Sequence, residues 1–96
     1  MSCEIDERDG VIRIRGEMTI YSAQSLGQQL LATVAAGTDQ CRIDLSEVAE
    51  MDTSGIQILL MVRKVCAQRK RPLAFVSPSP AAAESLNLLR FEGAGG

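Results

Sequence analysis

Asp52, Thr53, Ser54 and Gly55 stand together where an apolar run begins, in the stretch AEMDTSGIQILLMVRK from Ala49 to Lys64. A carboxylate, two hydroxyls and a glycine in that order can do two kinds of chemistry. One is helix capping. Unpaired N–H groups and the positive end of the dipole at a helix start attract an oxygen acceptor, and Asp52, Thr53 or Ser54 would each serve, for about 0.5–2 kcal/mol. The other is acceptance of a phosphoryl group by a hydroxyl, since a helix N-terminus can hold the resulting dianion on its backbone N–H groups. Three possible caps in a row, followed by a glycine that lets the backbone be approached closely, exceed what one helix start requires.

Most catalytic chemistries are absent from the 96 residues. There is no histidine, which removes the commonest general base and metal ligand, and with it Ser-His-Asp, Cys-His and most zinc sites. No Walker A loop occurs, so nucleotide hydrolysis is disfavoured as well. The chain reads as a non-enzyme with no cofactor and no metal. Its cysteines, Cys3, Cys41 and Cys66, are odd in number and far apart, which suggests neither a disulfide framework nor a metal knuckle. Cys41 and Cys66 read as small buried hydrophobes, and Cys3 as incidental.

A net charge of -2 exerts no pull on nucleic acid, and with no Trp, one Tyr and two Phe there is no base-stacking platform. Arg63, Lys64, Arg69, Lys70 and Arg71 read as a solvated face late in a helix, where cations complement the dipole. The stretch SPSPAAAES from Ser77 is explained by capping and fixed backbone angles at a helix entry. No apolar run reaches the roughly 20 residues needed to span a bilayer, and the start MSCEIDERDG is acidic. A cytoplasmic protein without membrane insertion is expected.

These residues must be positioned by one domain. Hydrophobic residues make up 46% and charged residues 23%, a balance that predicts a packed core rather than disorder. The domain is expected over residues 3–92, with a flexible tail at 93–96. Ile12 and Ile14 alternate with Arg13 and Arg15, the period of a strand with one buried face, and CEID before them is its hairpin partner through the Asp-Gly turn. Ala23, Leu26, Leu30 and Val34 are spaced for an amphipathic helix, with Thr19 or Ser22 as its cap and Gly37 as its stop.

QCRIDL predicts a third strand that breaks at SEVAEMD. Ser54–Lys70 predicts a second helix, Pro72–Pro78 a fourth strand, and SPAAAESLNLLRF a third helix with Pro80 near its first turn. The fold class is α/β, a single mixed sheet of about four strands with helices packed on it, in the order β-β-α-β-α-β-α with right-handed crossovers. The second helix carries two apolar stripes: Ile58, Met61, Val62 and Val65 form one, and Ile56, Leu59 and Leu60 the other. A helix lying on a sheet needs one, so the second faces either a neighbouring element or a partner.

IDLSEVAEMDTSGIQILL resembles the strand-loop-helix centre of STAS domains, the family of bacterial anti-sigma factor antagonists, and GEMTIYSAQSLGQQLL resembles their preceding strand and first helix. The resemblance covers most of the chain and agrees with the order of elements above. Many members continue into a further strand and a final helix that this sequence does not match. The resemblance implies that Ser54, the hydroxyl residue before the glycine, is the phosphoacceptor, with Thr53 as a neighbour that can substitute or assist. Asp52 and Gly55 match the family's acidic residue and glycine.

It implies, further, a binding module whose partner is a serine kinase that is also an anti-sigma factor, with a serine phosphatase to reverse the modification. Met51, Asp52, Thr53, Ser54, Gly55 and Ile56 are the expected contact residues, although Ile56 also suits core packing. Asp52 would orient the hydroxyl or the loop, or rigidify the loop by capping. A second implication belongs to a different class: some small STAS proteins assemble with the ATPase of a phospholipid-trafficking transporter, where the threonine after the aspartate, here Thr53, carries the function.

Overall fold

The protein is described by a computed structural model covering residues 3–37 and 40–92, the last five as backbone; the tail expected at 93–96 lies outside the described residues. The elements run β1 (Cys3–Arg8), β2 (Val11–Met18), α1 (Ala23–Ala36), β3 (Cys41–Met51), α2 (Thr53–Gln68), β4 (Leu73–Val76) and α3 (Pro80–Glu92). The strands form one sheet in the order β1-β2-β3-β4. β1 and β2 are antiparallel, whereas β2–β3 and β3–β4 are parallel. The mixed four-stranded sheet and the β-β-α-β-α-β-α order are those expected. Asp9 and Gly10 both take positive φ, 54° and 79°, the two-residue turn whose twist suits a hairpin.

Alternation divides the sheet into two faces. Ile12, Ile14, Cys41, Ile43 and Leu45 are buried on one, where Leu26, Leu30 and Val34 of α1, Ile58, Leu59 and Val62 of α2 and Ala82 of α3 complete the core. The other face is open and charged. Arg13 pairs with Asp44 at 3.4 Å and Glu47 at 3.9 Å, and Arg15 with Asp6 at 3.0 Å and Glu47 at 3.6 Å. Cys41 and Cys66 are buried as expected, and burial, with the neighbouring Cys66 thiol, pushes Cys41 up to about 11. Such a thiol is inert at neutral pH. No helix among the described residues is long and apolar enough to cross a membrane.

Three elements depart from expectation. β3 does not break at SEVAEMD but continues to Met51. It holds one extra residue between the pairs Arg13–Asp44 and Arg15–Glu47, and another between Gly16–Val48 and Glu17–Glu50. Each bulge shifts the inward phase, so that Val48 rather than Glu47 is buried and the two-residue period is lost. Gly16, beside the second irregularity, has a φ of 110°, a value that favours glycine.

Arg71 is the second departure, buried rather than on a solvated face. The end of α2 explains it. Arg71 N–H donates to Cys66 O at 2.8 Å and Lys70 N–H to Ala67 O at 3.2 Å, with Lys70 at φ 54°, so the chain reverses in the Schellman pattern. Arg71 then reaches back to donate to Val34 O at the end of α1. Gly37, the third, ends α1 in an extended rather than a left-handed conformation. What excludes a side chain there is the Arg71 guanidinium, which occupies the space a Cβ would need.

Candidate functional site

The parallel pairing of β2 with β3 brings two strand ends together, and α2 starts at that junction. Asp52 N–H donates to Met18 O at 3.2 Å, joining the end of β2 to the turn into α2. Asp52 is the N-cap, with Oδ1 accepting from Ser54 N–H at 2.8 Å and from Gly55 N–H at 3.4 Å. Its other oxygen, Oδ2, accepts from Ile20 N–H at 3.0 Å. One carboxylate therefore caps α2 and ties down the β2–α1 loop, thirty-two residues away in sequence.

That loop is closed at its other end by Ser22, whose hydroxyl donates to Glu17 O at 2.5 Å and accepts from Thr19 N–H at 3.3 Å. Ser22 occupies the N-cap position of α1 but makes no side-chain capping bond. Between these fixed points the loop presents Ile20 and Tyr21, 68% and 92% exposed. Sequence reading missed the pair as a surface feature. Their signal was two large apolar residues ahead of the helical period, tethered by polar residues on both sides.

Gly55 is buried, and the close approach it permits is internal. A Cβ there would lie 2.6 Å from Met18 O and 2.7 Å from Met51 Cγ. The mouth of α2 can press onto the end of β2 only because residue 55 lacks a side chain. Ser54 is half-buried and Thr53 exposed. Neither hydroxyl makes a hydrogen bond among the described residues, because Asp52 alone does the capping.

The two hydroxyls open onto different surfaces. Thr53 lines a depression of about 340 Å³ with Met51, Asp52, Ile56, Ala81 and Glu84. It adjoins a larger one of about 550 Å³ that shares Met51, Asp52 and Ala81 and adds Glu17, Tyr21 and Glu50. This side is acid-rimmed. Ser54 instead lines a groove of about 300 Å³ between α1 and α2, with Gly27, Leu31, Gln57, Ile58 and Met61. Of the expected contact residues, Met51, Asp52, Thr53 and Ile56 thus gather on one side and Ser54 faces the other. Among the described residues no group of three or more His, Cys, Asp or Glu could hold a metal ion.

Solved structures share this architecture. An anti-sigma factor antagonist from Mycobacterium paratuberculosis superimposes with a TM-score of 0.76 at 24% identity, over 96% of this chain and 80% of that one. A putative anti-sigma factor antagonist from Thermotoga maritima gives 0.75 at 18% identity, over 95% and 80%. The anti-sigma factor antagonist SpoIIAA in its unphosphorylated form gives 0.71 at 18% identity, over 97% and 82%. No curated protein matches the chain in sequence. The family model described as "Mlab, STAS domain" matches residues 1–94, and the chain belongs to the STAS domain family.

Proposed function

We propose that this chain is a phosphorylation-switched protein-binding regulator of the anti-sigma factor antagonist type, with Ser54 as the phosphoacceptor. The observation that carries the reading is the division of labour at the mouth of α2. Asp52 satisfies the helix N–H groups, so the Ser54 hydroxyl is left unbonded at the edge of an open groove. In its unmodified form the domain docks, around the first turn of α2, onto a serine kinase that also acts as an anti-sigma factor. That kinase then phosphorylates Ser54, and a serine phosphatase restores the hydroxyl.

The switch is electrostatic. A phosphoserine carries about -1.5 to -2 charges, and the N–H groups nearest to it are already occupied by Asp52. Part of the added charge must therefore be desolvated against the partner. A penalty of roughly 3 kcal/mol weakens binding about a hundredfold, enough to release it. The test is incubation of the purified protein with ATP and the serine kinases of the same genome, followed by phosphopeptide mapping and affinity measurement. Ser54→Ala is expected to stay bound in the presence of ATP, and Ser54→Asp to bind about a hundredfold more weakly. Equal affinity of the two variants for the cognate kinase refutes the scheme.

A second reading has its own support. The matching family model carries the Mlab description, and Thr53 is the more exposed hydroxyl, on the acid-rimmed side. In that reading the chain is a small subunit assembling with the ATPase of a phospholipid-trafficking transporter through Thr53. The same variants separate the two. Thr53→Ala leaves the kinase switch intact in the first reading and disrupts assembly in the second.

A further inference from the structure

We infer that the groove between α1 and α2 is a docking surface for an uncharged apolar ridge on a helix of the partner protein, which crosses α1 at Gly27. The inference rests on the proposed function in taking the occupant to be the partner that Ser54 controls. Three features of the molecule point to it.

The first is Gly27 itself. Glycine inside a helix is unfavourable relative to alanine, and a buried or strained site usually explains it. Gly37 and Gly55 have such explanations, because a Cβ at either would collide with Arg71 or with Met18 and Met51. Gly27 has none. A Cβ there would meet only Ile58 Cγ1, at 3.8 Å, an ordinary contact, and its φ is not in the left-handed region. The fold would accept a side chain at 27, yet the sequence leaves the space empty on the wall of an open groove, where a second backbone could come close.

The second is charge. No acidic or basic residue occurs from Met18 through Thr38, although 23% of the chain is charged. α1 therefore has no charged residue anywhere along its length. Its exposed Gln24 and Gln28, with Gln57 of α2, rim the groove with neutral amides. Depletion of charge marks the centres of protein interfaces. A charged ridge laid here would lose its hydration with no counter-charge to replace it. The third feature is apolar exposure: Met61, 49% exposed, stands beside Leu31 and Ile58 in the same groove. Two helices with a neutral apolar furrow between them suit a third helix laid along it.

A second copy of this chain fits poorly. α2 shows the exposed Lys64 and α3 the exposed Glu84, so α1 is the uncharged helix the chain could offer. A two-fold pairing through α1 would set two grooves and their Gln24 and Gln28 rims face to face rather than fill either one. A phosphate on Ser54 would place a dianion at the edge of this neutral surface, linking the groove to the switch.

The test uses a phage-displayed library of helices of roughly 14 residues, about four turns, randomised along one face and selected on the full chain. Enriched clones are expected to carry uncharged apolar ridges. They should bind at least about tenfold more weakly to Gly27→Leu, which fills the groove, and to Gln28→Glu, which charges its rim. Gly27→Leu itself should keep a native-like thermal midpoint, and Gly27→Ala should keep or raise it, so loss of binding to the leucine variant is not loss of fold. The inference is overturned by an absence of enriched clones, by charged ridges, by equal binding to Gly27→Leu, or by self-association of the chain through the groove. Clones that lose Gly27→Leu yet bind Ser54→Asp as tightly as the native chain uphold the groove and remove the phosphate's control over it, which strikes the proposed function alone.

Discussion

The mouth of α2 and the open face of the sheet both carry carboxylates, and they use them differently. At the mouth Asp52 accepts only main-chain N–H groups, those of Ile20, Ser54 and Gly55. On the open face Asp6 and Glu47 pair, among the described residues, only with the side chains of Arg13 and Arg15, at distances from 3.0 to 3.9 Å. Asp44 divides its oxygens between Arg13 at 3.4 Å and the N–H of Ser46, its near neighbour in sequence, at 2.8 Å. A carboxylate bound to backbone fixes the course of the chain, because moving it frees N–H groups that need a partner. An ion pair between long exposed side chains fixes little beyond the side chains themselves, and is typically worth less than about 1 kcal/mol. The sequence is accordingly more constrained at the mouth than on the open face. Substitutions at the mouth should reach both the fold and the docking surfaces beside it, whereas those on the open face should reach neither strongly.

Gly55→Ala should give the largest effect. The added methyl group would lie 2.6 Å from a backbone oxygen and 2.7 Å from Met51 Cγ. Met51 can rotate away, but Met18 O is held by its bond from Asp52 N–H. A loss of about 3 kcal/mol is expected in chemical denaturation, the upper range for overpacking. A loss below about 1 kcal/mol would mean that the strand end yields, and that the mouth is no stiffer than the open face.

Asp52→Ala comes next, at about 2 kcal/mol, since it removes a cap and the tie to the β2–α1 loop together. Hydrogen exchange resolves the two contributions. The amides of Ser54 and Ile20 should both exchange faster in the variant. Acceleration at Ser54 alone would show that the loop does not depend on Asp52, and the contrast with the open face would narrow to a local cap.

Much of this was legible in the sequence, for local reasons. The Asp-Gly turn, the alternation of Ile12 and Ile14, and Pro80 following a capping serine each need only near neighbours to act, and Ala82 N–H does donate to Ser79 Oγ at 3.1 Å. What was not legible depends on partners far along the chain. The extension of β3 was hidden because two bulges break its period. Arg71 looked like a surface cation because nothing near it in sequence foretold Val34 O, thirty-seven residues away. At the site, helical geometry alone turns adjacent residues about 100° apart. That Thr53 then shares a depression with Glu84, and Ser54 a groove with Gly27, depends on how α3 and α1 pack, which no periodicity records. Gly55 was read as leaving room for a visitor, and the room is taken by Met18.

The open face supplies the smallest effect and a check of a different kind, through pH. Ser46 N–H donates to Asp44 Oδ1 at 2.8 Å, and Arg13 lies at 3.4 Å. Hydrogen bonding from Ser46 is the main cause that holds the Asp44 carboxyl below its usual range; burial opposes it, and the charge of Arg13 adds a smaller lowering effect. In the unfolded chain the group titrates near the ordinary value of about 3.9. The folded state therefore gains stability from ionised Asp44 above that value, and loses it as pH falls through the lower folded pKa, because the unfolded chain takes up the proton first. Compared with the native chain, Asp44→Asn should be less stable by under about 1 kcal/mol at neutral pH. The gap should hold above about pH 5 and narrow below about pH 4, as read from denaturation midpoints across an acid series. A gap that persists unchanged into acid would mean that the cost comes from setting an amide NH2 against Arg13 rather than from the lost charge, since the asparagine oxygen can still accept from Ser46 N–H.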